Sequence, residues 1–516
     1  MLTKVLSVAS MGLEAMEIEV EVNVAERGFP VFNLVGLPTK AVEEAKERVR
    51  TALVNSGIDF PAKKIIVNLA PADIPKEGSA YDLAIAVGIM GAGEECGSNL
   101  TKALKGKYFY GELGLDGSLR HTRGVFLLAS LAKERGVREI FVPKLSANEA
   151  SVIEGVKVYP VNNLIELVRH FKGDKLIKAL KTINQGRLLE EAEAEFDFKE
   201  VAGQEQAKRA LEIAAAGGHN ILMIGPPGSG KTMLARALPG ILPELTAKEA
   251  LEVTKIYSVT GNIEPGGGLI RRRPFRAPHH TTSKIGLIGG GAKPMPGEIS
   301  LAHRGVLFLD EFPEYPRSVL EALRQPLEDG LVSVTRVAGT VNFPAKFMLA
   351  AAANPCPCGY LNHPKKSCTC LPMQILKYQK RLSGPILDRI DLHVNVPFVE
   401  INKLEQDRPP GEESKQVRER VIRARKIQEA RLKGESLVGG MQVFCNGEMR
   451  NKQIKKYCRL SSGAEKLLAV AADKFQLSAR SYFRVIKVSR TIADLAGAEG
   501  IEDSHIAEAL QYRVRT

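Results

Sequence analysis

Ile221-Leu-Met-Ile224-Gly225-Pro226-Pro227-Gly228-Ser229-Gly230-Lys231-Thr232 is the stretch on which the fold turns. Four apolar residues, short enough for a buried parallel strand, run into Gly-x-x-x-x-Gly-Lys-Thr. The residues that follow, Met233-Leu-Ala-Arg-Ala-Leu238, are good helix formers. Strand, loop and helix in this order make a phosphate-binding loop. Phosphate oxygens must approach backbone N–H groups at the helix N-terminus, and a Cβ would block that approach. Gly225, Gly228 and Gly230 leave the room. In this pattern Lys231 reaches the β- and γ-phosphates of ATP, and Thr232 holds Mg²⁺.

Working outward, Val306-Leu-Phe-Leu309 is closed by Asp310 and Glu311, 79 residues past Lys231. This is a buried strand that delivers two carboxylates to its C-terminal edge. Asp310 is expected in the Mg²⁺ shell, and Glu311 as general base on the attacking water. Phe347-Met-Leu-Ala-Ala-Ala-Ala-Asn354 is a further buried strand, ending in a neutral polar residue. Asn354 is suited to orient that water beside the γ-phosphate.

The 516 residues allow about three or four domains. A hydrophobic fraction of 44% is that of ordinary globular chains. Leu83–Ala92 is the longest apolar run, well short of the roughly 20 residues of a membrane span. Glu14, Glu17, Glu19 and Glu21 follow the N-terminus closely and argue against a secretory signal. The expected location is therefore the cytoplasm. The net charge is +13, and residues 401–516 carry 23 Lys+Arg against 15 Asp+Glu. Such a balance suits an anionic partner such as nucleic acid, and equally suits plain solubility.

Residues 1–172 alternate strand-like and helix-like segments. Ile18–Val24 alternates apolar and polar residues as a half-buried strand does. Thr39–Ser56 reads as a helix, Lys64–Leu69 as a strand and Tyr81–Met90 as an apolar helix. Lys107–Gly117 reads as a hairpin-like pair, Gly124–Glu134 as a helix and Glu139–Pro143 as a strand. Residues 173–198, with the acidic run Glu190–Glu195, read as a linker. Residues 199–400 hold the nucleotide motifs. Residues 401–516 open on a basic amphipathic helix over 414–433 and end in helices over 462–472, 478–496 and 503–513.

Longer motifs accompany these parts. They are Val201-Ala-Gly-Gln-Glu-Gln-Ala-Lys-Arg-Ala210, Arg273-Pro-Phe-Arg-Ala-Pro-His-His-Thr-Thr-Ser283, Pro296-Gly-Glu-Ile-Ser-Leu-Ala-His-Arg-Gly305, Asn354-Pro-Cys-Pro-Cys-Gly359 and Leu387-Asp-Arg-Ile-Asp-Leu392. Together they resemble the YifB/ComM family of Mg chelatase-like AAA+ ATPases, over the whole chain. The resemblance implies an α/β fold: an AAA+ P-loop core with a C-terminal helical lid, behind an N-terminal Lon protease-like, ribosomal S5 domain 2-like domain. It also implies that Arg389 is an arginine finger reaching a neighbouring subunit's γ-phosphate, which makes hydrolysis depend on assembly. A ring follows, most simply a hexamer. Arg480 matches the sensor 2 position, with Arg484 one turn on as the competing candidate.

Two segments bear on the partner. Arg271, Arg272, Arg273, Arg276, His279, His280 and Lys284 fall within 14 residues. The resemblance places them, up to Lys293, in an insertion that projects toward a pore. For His279 and His280 a structural hydrogen-bonding role is the competing reading. Residues 328–342 read as a hairpin preceding the Asn354 strand. Basic hairpins in a pore, here with Arg336, track a nucleic-acid backbone with little sequence preference.

Cys356-Pro-Cys358 and Cys368-Thr-Cys370 hold four of the seven cysteines. Four thiolates suit a tetrahedral Zn²⁺, although C-x-C pairs replace the usual C-x₂-C, and His363 is a further donor. Four reduced thiols, or a redox disulfide, are the alternatives.

Val67–Ala84 resembles the Lon catalytic segment, but its nucleophile position falls on Ala80, one residue after Ser79. The stretch Gly111–Phe126 resembles the one leading to Lon's lysine, and that position falls on Phe126. A Ser–Lys dyad needs an amine beside a hydroxyl, so a peptidase is not expected. The functions left open are a DNA helicase or branch-migration motor of natural transformation, a metal-chelatase motor subunit, and an ATP-dependent chaperone or protease-like remodeller.

Overall fold

The strand expected at the P-loop forms over Ile221–Ile224 and lies inside a five-stranded sheet whose pairings are all parallel. A computed structural model describes residues 2–25, 29–93, 97–181, 196–291, 294–336, 339–382, 384–398, 411–435 and 442–513. Lys293, the acidic run Glu190–Glu195 and the side chain of Arg336 lie outside the described residues. The chain divides into two compact units, Met1–Glu190 with Thr246–Arg271, and Glu191–Leu245 with Arg272–Thr516.

In the second unit the strands stand in the order Phe275–Arg276, Val306–Leu309, Met348–Ala353, Ile221–Ile224, Leu392–Asn395. By chain position this is 2-3-4-1-5. Ile221 pairs with Ala350 on one side and Leu392 on the other, so the P-loop strand is paired along both edges. Because every strand runs the same way, Gly225, Asp310 and Asn354 all emerge at one edge. Open α/β sheets bind ligands at that carboxyl edge, where the strand order switches. Strand Met348–Ala353 is buried along its whole length. Its run of alanines lets helix Lys231–Ile241 pack close against it.

The helix after the P-loop runs Lys231–Ile241, and Gly230 at its N-cap has φ +88°. Helix Glu205–Gly217 packs on the same side. The basic helix forms over Ser414–Leu432, and the C-terminal helices over Ser462–Lys474, Ala479–Leu495 and Asp503–Gln511. They share one apolar core with the P-loop sheet, from Ile213 and Met223 to Val421, Leu468 and Ile492.

The first unit carries a seven-stranded mixed sheet. Leu2–Met11 and Glu14–Val24 form an antiparallel hairpin, in register from Leu2 opposite Asn23 to Met11 opposite Glu14. Ile18, Val20, Val22 and Val24 are the buried side of the alternation. Helix Asp82–Ala92 is buried throughout and lies directly on this hairpin. A Cβ on Gly88 would stand 2.4 Å from Val22 Cγ2, so only glycine permits the approach.

The helix expected over Thr39–Ser56 forms as Lys40–Glu43 and Ala45–Asn55, joined through Glu44 in helical conformation with its amide donating to Lys40 O. Lys107–Gly117 is not one hairpin. Lys107–Phe109 joins the main sheet, parallel to its neighbours at Leu6 and Glu139, while Glu112–Leu113 pairs with Leu119–Arg120 in a separate ribbon. Gly111 marks the break, where a Cβ would meet Pro143 at 2.9 Å. Segment Thr246–Arg271 lies in sequence between the P-loop helix and the Asp310 strand, yet it belongs to the first unit. Its helix Ala247–Thr260 is held there by Gly124 N donating to Ser258 O and by the Ser258 hydroxyl donating to Glu149.

Candidate nucleotide site

Lys231 is buried at the start of its helix. Its ammonium donates to the carbonyls of Gly225 at 2.7 Å and Pro226 at 2.8 Å, and reaches Asn354 Oδ1 at 3.4 Å. Burial pushes the Lys231 amine below its usual range, against the attraction of Asp310. The loop residues Pro226, Pro227, Gly228, Ser229 and Gly230 curl around this amine. Gly228 and Gly230 take φ of +75° and +88°, the left-handed conformation that turns consecutive N–H groups inward. Gly225 has a further reason to be glycine. A Cβ there would stand 2.2 Å from the Val396 carbonyl, so this position also serves backbone clearance.

The Thr232 hydroxyl donates to Asp310 Oδ2 at 2.9 Å. A hydroxyl and a carboxylate facing each other beside a phosphate cradle are hard oxygen donors of the kind Mg²⁺ takes. These residues fit that ion. Glu311 follows with φ +49°, a left-handed conformation rare outside glycine. Its amide donates to Asp310 Oδ1 at 2.8 Å. The twist separates the two carboxylates: Asp310 turns to Thr232, while Glu311 is half exposed and meets His280 Nδ1 at 3.0 Å.

That histidine contact was not legible in the sequence. His280 stacks on His279, with ring centroids 4.1 Å apart, and Tyr315 donates to the Pro278 carbonyl. The Arg273–Ser283 motif therefore lines the Glu311 side of the site. Arg273 donates to the carbonyls of Pro243, Glu244 and Arg304, and Arg276 makes a two-pronged pair with Glu298. Both guanidiniums hold this loop together, which removes them from the basic set read as facing a pore. Arg272 and Lys284 are exposed.

Arg389 and Arg480 come together on a residue that no motif singled out. Glu328 accepts from Arg389 at 2.7 Å and from Arg480 at 3.0 Å. Arg389 is 7% exposed, and Arg480 stands open to solvent. Asn220, just before the P-loop strand, donates to the Arg389 carbonyl at 3.1 Å and accepts from the Leu349 amide at 2.9 Å. It thus ties the Arg389 segment to two strands of the sheet. Arg484, the competing sensor candidate, is engaged elsewhere, in a buried pair with Asp391. Burial pushes the Asp391 carboxyl up, but Arg484 and the contact with His219 outweigh it and hold the carboxyl well below its usual range.

The basic helix Ser414–Leu432 is likewise turned inward in part. Arg418 donates to Gly240 O and Arg425 to Ala215 O; Arg420 pairs with Glu212 and Glu412, and Arg431 with Asp494. These arginines join the C-terminal helices to the core, so the positive charge of that region is not all surface available to a partner.

In the first unit Ser79 donates to Glu112, and the Lys76 ammonium donates to the Pro71 carbonyl. Ala80 and Phe126 are buried in an apolar cluster. The Phe126 amide donates to Glu149 at 2.7 Å.

Three family descriptions match the chain in series. Subunit ChlI of Mg-chelatase covers residues 20–146, magnesium chelatase subunit ChlI covers 197–404, and its C-terminal region covers 411–513. Competence protein ComM of Haemophilus influenzae is 45% identical over 512 residues, 99% of this chain and 97% of that protein. The chain belongs to the YifB/ComM family of Mg chelatase-like AAA+ ATPases. The Escherichia coli K12 member, uncharacterized protein YifB, is 42% identical over 98% of this chain and 96% of its own length. The magnesium-chelatase 38 kDa subunit of Cereibacter sphaeroides is 27% identical over 31% of this chain and 53% of that subunit. Likeness to the YifB/ComM proteins thus runs end to end, and likeness to the chelatase subunit is partial. Among the described residues no helix is long and apolar enough to cross a membrane.

Proposed function

We propose that this family member is a ring-forming, ATP-driven motor that acts on DNA as a helicase or branch-migration factor in recombination during natural transformation. The observation that carries the ATPase part is the meeting of Thr232, Asp310, Glu311, Lys231 and Asn354 at one sheet edge. In this reading Gly225–Thr232 cradle the phosphates of ATP, and Thr232 and Asp310 hold Mg²⁺. Glu311 accepts a proton from the attacking water while Asn354 orients it.

Arg389 supplies positive charge to the neighbouring copy's γ-phosphate, and Arg480 is the sensor 2 arginine. The shared contact with Glu328 supports a joint role, because it brings the two guanidiniums to one carboxylate. A finger used in trans implies a closed ring, for which six copies is the proposed number. The proposed division is 1–172, a Lon-like domain without its dyad; 173–198, a linker; 199–400, the AAA+ core; and 401–516, a helical lid. A cytoplasmic location is part of the proposal and suits the six cysteines in thiol form among the described residues.

The DNA assignment rests on the end-to-end likeness to a competence protein and on the exposed cations Arg272 and Lys284 in the proposed pore insertion. The chelatase-motor reading has its own support, the three chelatase family matches. One experiment separates them: strand displacement and branch migration on forked and three-strand DNA, wild type against Glu311→Gln. ATP-dependent unwinding by wild type alone supports the DNA motor. An ATPase that DNA neither stimulates nor engages turns the assignment to the chelatase class.

A further inference from the structure

Directly after Asn354 the chain folds two C-x-C pairs onto each other. The Sγ atoms of Cys356, Cys358, Cys368 and Cys370 all lie within 4.8 Å of one another. Cys356 to Cys358 is 3.4 Å, Cys356 to Cys368 is 3.7 Å and Cys358 to Cys368 is 3.5 Å. A tetrahedral ion with metal–sulfur bonds of about 2.3 Å holds its sulfurs roughly 3.8 Å apart, which is this spacing. A multinuclear iron–sulfur cluster spreads its thiolates over several metal atoms and needs a wider cage.

The surroundings are built for the same purpose. The Cys358 amide donates to Cys370 Sγ at 3.3 Å, as knuckle amides do to metal-bound thiolates. Cys356 is fully buried. Lys365 and Lys366 lie in the intervening loop, Lys365 over the Phe398 ring and Lys366 over the Tyr360 ring. His363 is not a ligand; its Nδ1 accepts from the amides of Lys365 and Lys366 at 3.0 Å.

The cluster also touches the nucleotide site. Gly359 has φ +81°, and a Cβ there would stand 2.5 Å from Pro227 Cδ and 3.8 Å from Asn354 Cγ. The turn that closes the first C-x-C pair therefore lies against Pro227 of the P-loop and beside Asn354. Helix Pro372–Gln379, which follows Cys370, returns to the same place, where Gln379 donates to the Pro355 carbonyl at 3.4 Å.

We propose that Cys356, Cys358, Cys368 and Cys370 hold one structural Zn²⁺ whose knuckle braces Asn354 and Pro227. Zinc suits the role because it is redox-inert and is held closed by four protein ligands, with no open position for chemistry. Binding displaces the four thiol protons. The metal site stands on the sulfur geometry alone; its effect on turnover rests on the ATPase reading.

The test begins with metal analysis of the purified full-length chain. About one zinc per chain is expected, released by a mercurial thiol reagent and registered by a chromogenic chelator. Cobalt-grown protein should show the intense visible bands of a tetrahedral four-thiolate ion. No zinc, or iron in its place, overturns the site. Cys368→Ser and Cys370→Ser should each lower zinc content at least severalfold. Because such variants can misfold, wild-type stoichiometry remains the deciding number, and circular dichroism accompanies each variant. The bracing claim is tested on variants that keep their secondary structure: kcat for ATP should fall several-fold more than ATP affinity does. Zinc lost with kcat unchanged overturns the bracing and leaves the site. Zinc present in a wild type that hydrolyses no ATP overturns the ATPase reading and leaves the site standing.

Discussion

At the scale of single residues, Glu311 is held in a strained conformation. Its φ of +49° costs about 1 kcal/mol or more in a non-glycine residue, and the strain turns its carboxylate away from Asp310 toward His280. With Glu311 as the proposed general base, worth roughly 10²–10⁴ in rate, Glu311→Gln should keep ATP binding and lower kcat at least about a hundredfold. Turnover together with nucleotide titration checks both halves. On the proposed ATPase reading, His280→Ala should lower kcat by about tenfold with ATP affinity unchanged, since its contact is with Glu311. If His280→Ala instead weakens ATP binding alone, its placement against Glu311 has no bearing on turnover. Lys231, Thr232, Asp310 and Glu311 were legible from the sequence because phosphate and metal chemistry dictate both residue type and spacing. The contact of His280 with Glu311 and the meeting at Glu328 were not, because the partners are 31 and more positions away and belong to no repeating pattern. Gly225 has a second reason to be glycine that was not legible, since only the fold brings the Val396 carbonyl to it.

At the scale of elements, helix Arg324–Asp329 leads straight into the hairpin Leu331–Arg336 and Gly339–Pro344. Glu328 sits at that junction with Arg389 and Arg480 on its carboxylate. Removing the carboxylate leaves two guanidiniums side by side with nothing to gather them. Glu328→Gln should lower kcat of the assembled protein about tenfold and leave ATP affinity intact, a part of the loss expected from deleting a finger. Equal turnover in wild type and Glu328→Gln would mean that the contact is a surface pair.

A second element-scale expectation concerns Glu149, which caps the Phe126 amide and accepts from Ser258 of helix Ala247–Thr260. Burial pushes this carboxyl up from 4.5 to about 7, and Asp82, also chiefly by burial, goes up to about 6. Between about pH 4.5 and 7 the folded unit holds protons that the unfolded chain gives up. Its stability is therefore greater on the acid side and falls as pH rises through that window. Hydrogen exchange of peptides spanning residues 125–150 should show protection falling over this range. Glu149→Gln should flatten the trend.

The elements most readily read were those with strong periodicity or composition: the Ile18–Val24 strand, the apolar helix at Asp82, and the C-terminal helices. Lys107–Gly117 misled because a parallel strand and a separate ribbon share one run of aromatic and apolar residues. Which of them pairs with which is decided by Leu6 and Glu139, far away in sequence.

At the scale of the molecule, the sequence order hides a compact unit made of two pieces. Thr246–Arg271 returns to the first unit from the middle of the nucleotide-binding region. No composition shift marks it. The positive balance of the C-terminal region was similarly ambiguous, and Arg418, Arg420, Arg425 and Arg431 now account for part of it as internal ties. The nucleotide site itself reads as half of a shared one. Lys231, Asp310, Glu311 and Asn354 stand together, while Arg389 and Arg480 are gathered at Glu328. Turnover per chain should accordingly rise with protein concentration until assembly is complete.

The most direct test of that division mixes two inactive variants. Lys231→Ala cannot engage phosphate but keeps Arg389; Arg389→Ala keeps the P-loop but lacks the finger. Each alone should hydrolyse little ATP. Equal mixtures, allowed to exchange copies, should recover about a quarter of wild-type turnover, the share of interfaces that pair an intact P-loop with an intact finger. A mixture no more active than either parent, with co-assembly shown by differently tagged copies, would contradict a site divided between neighbours.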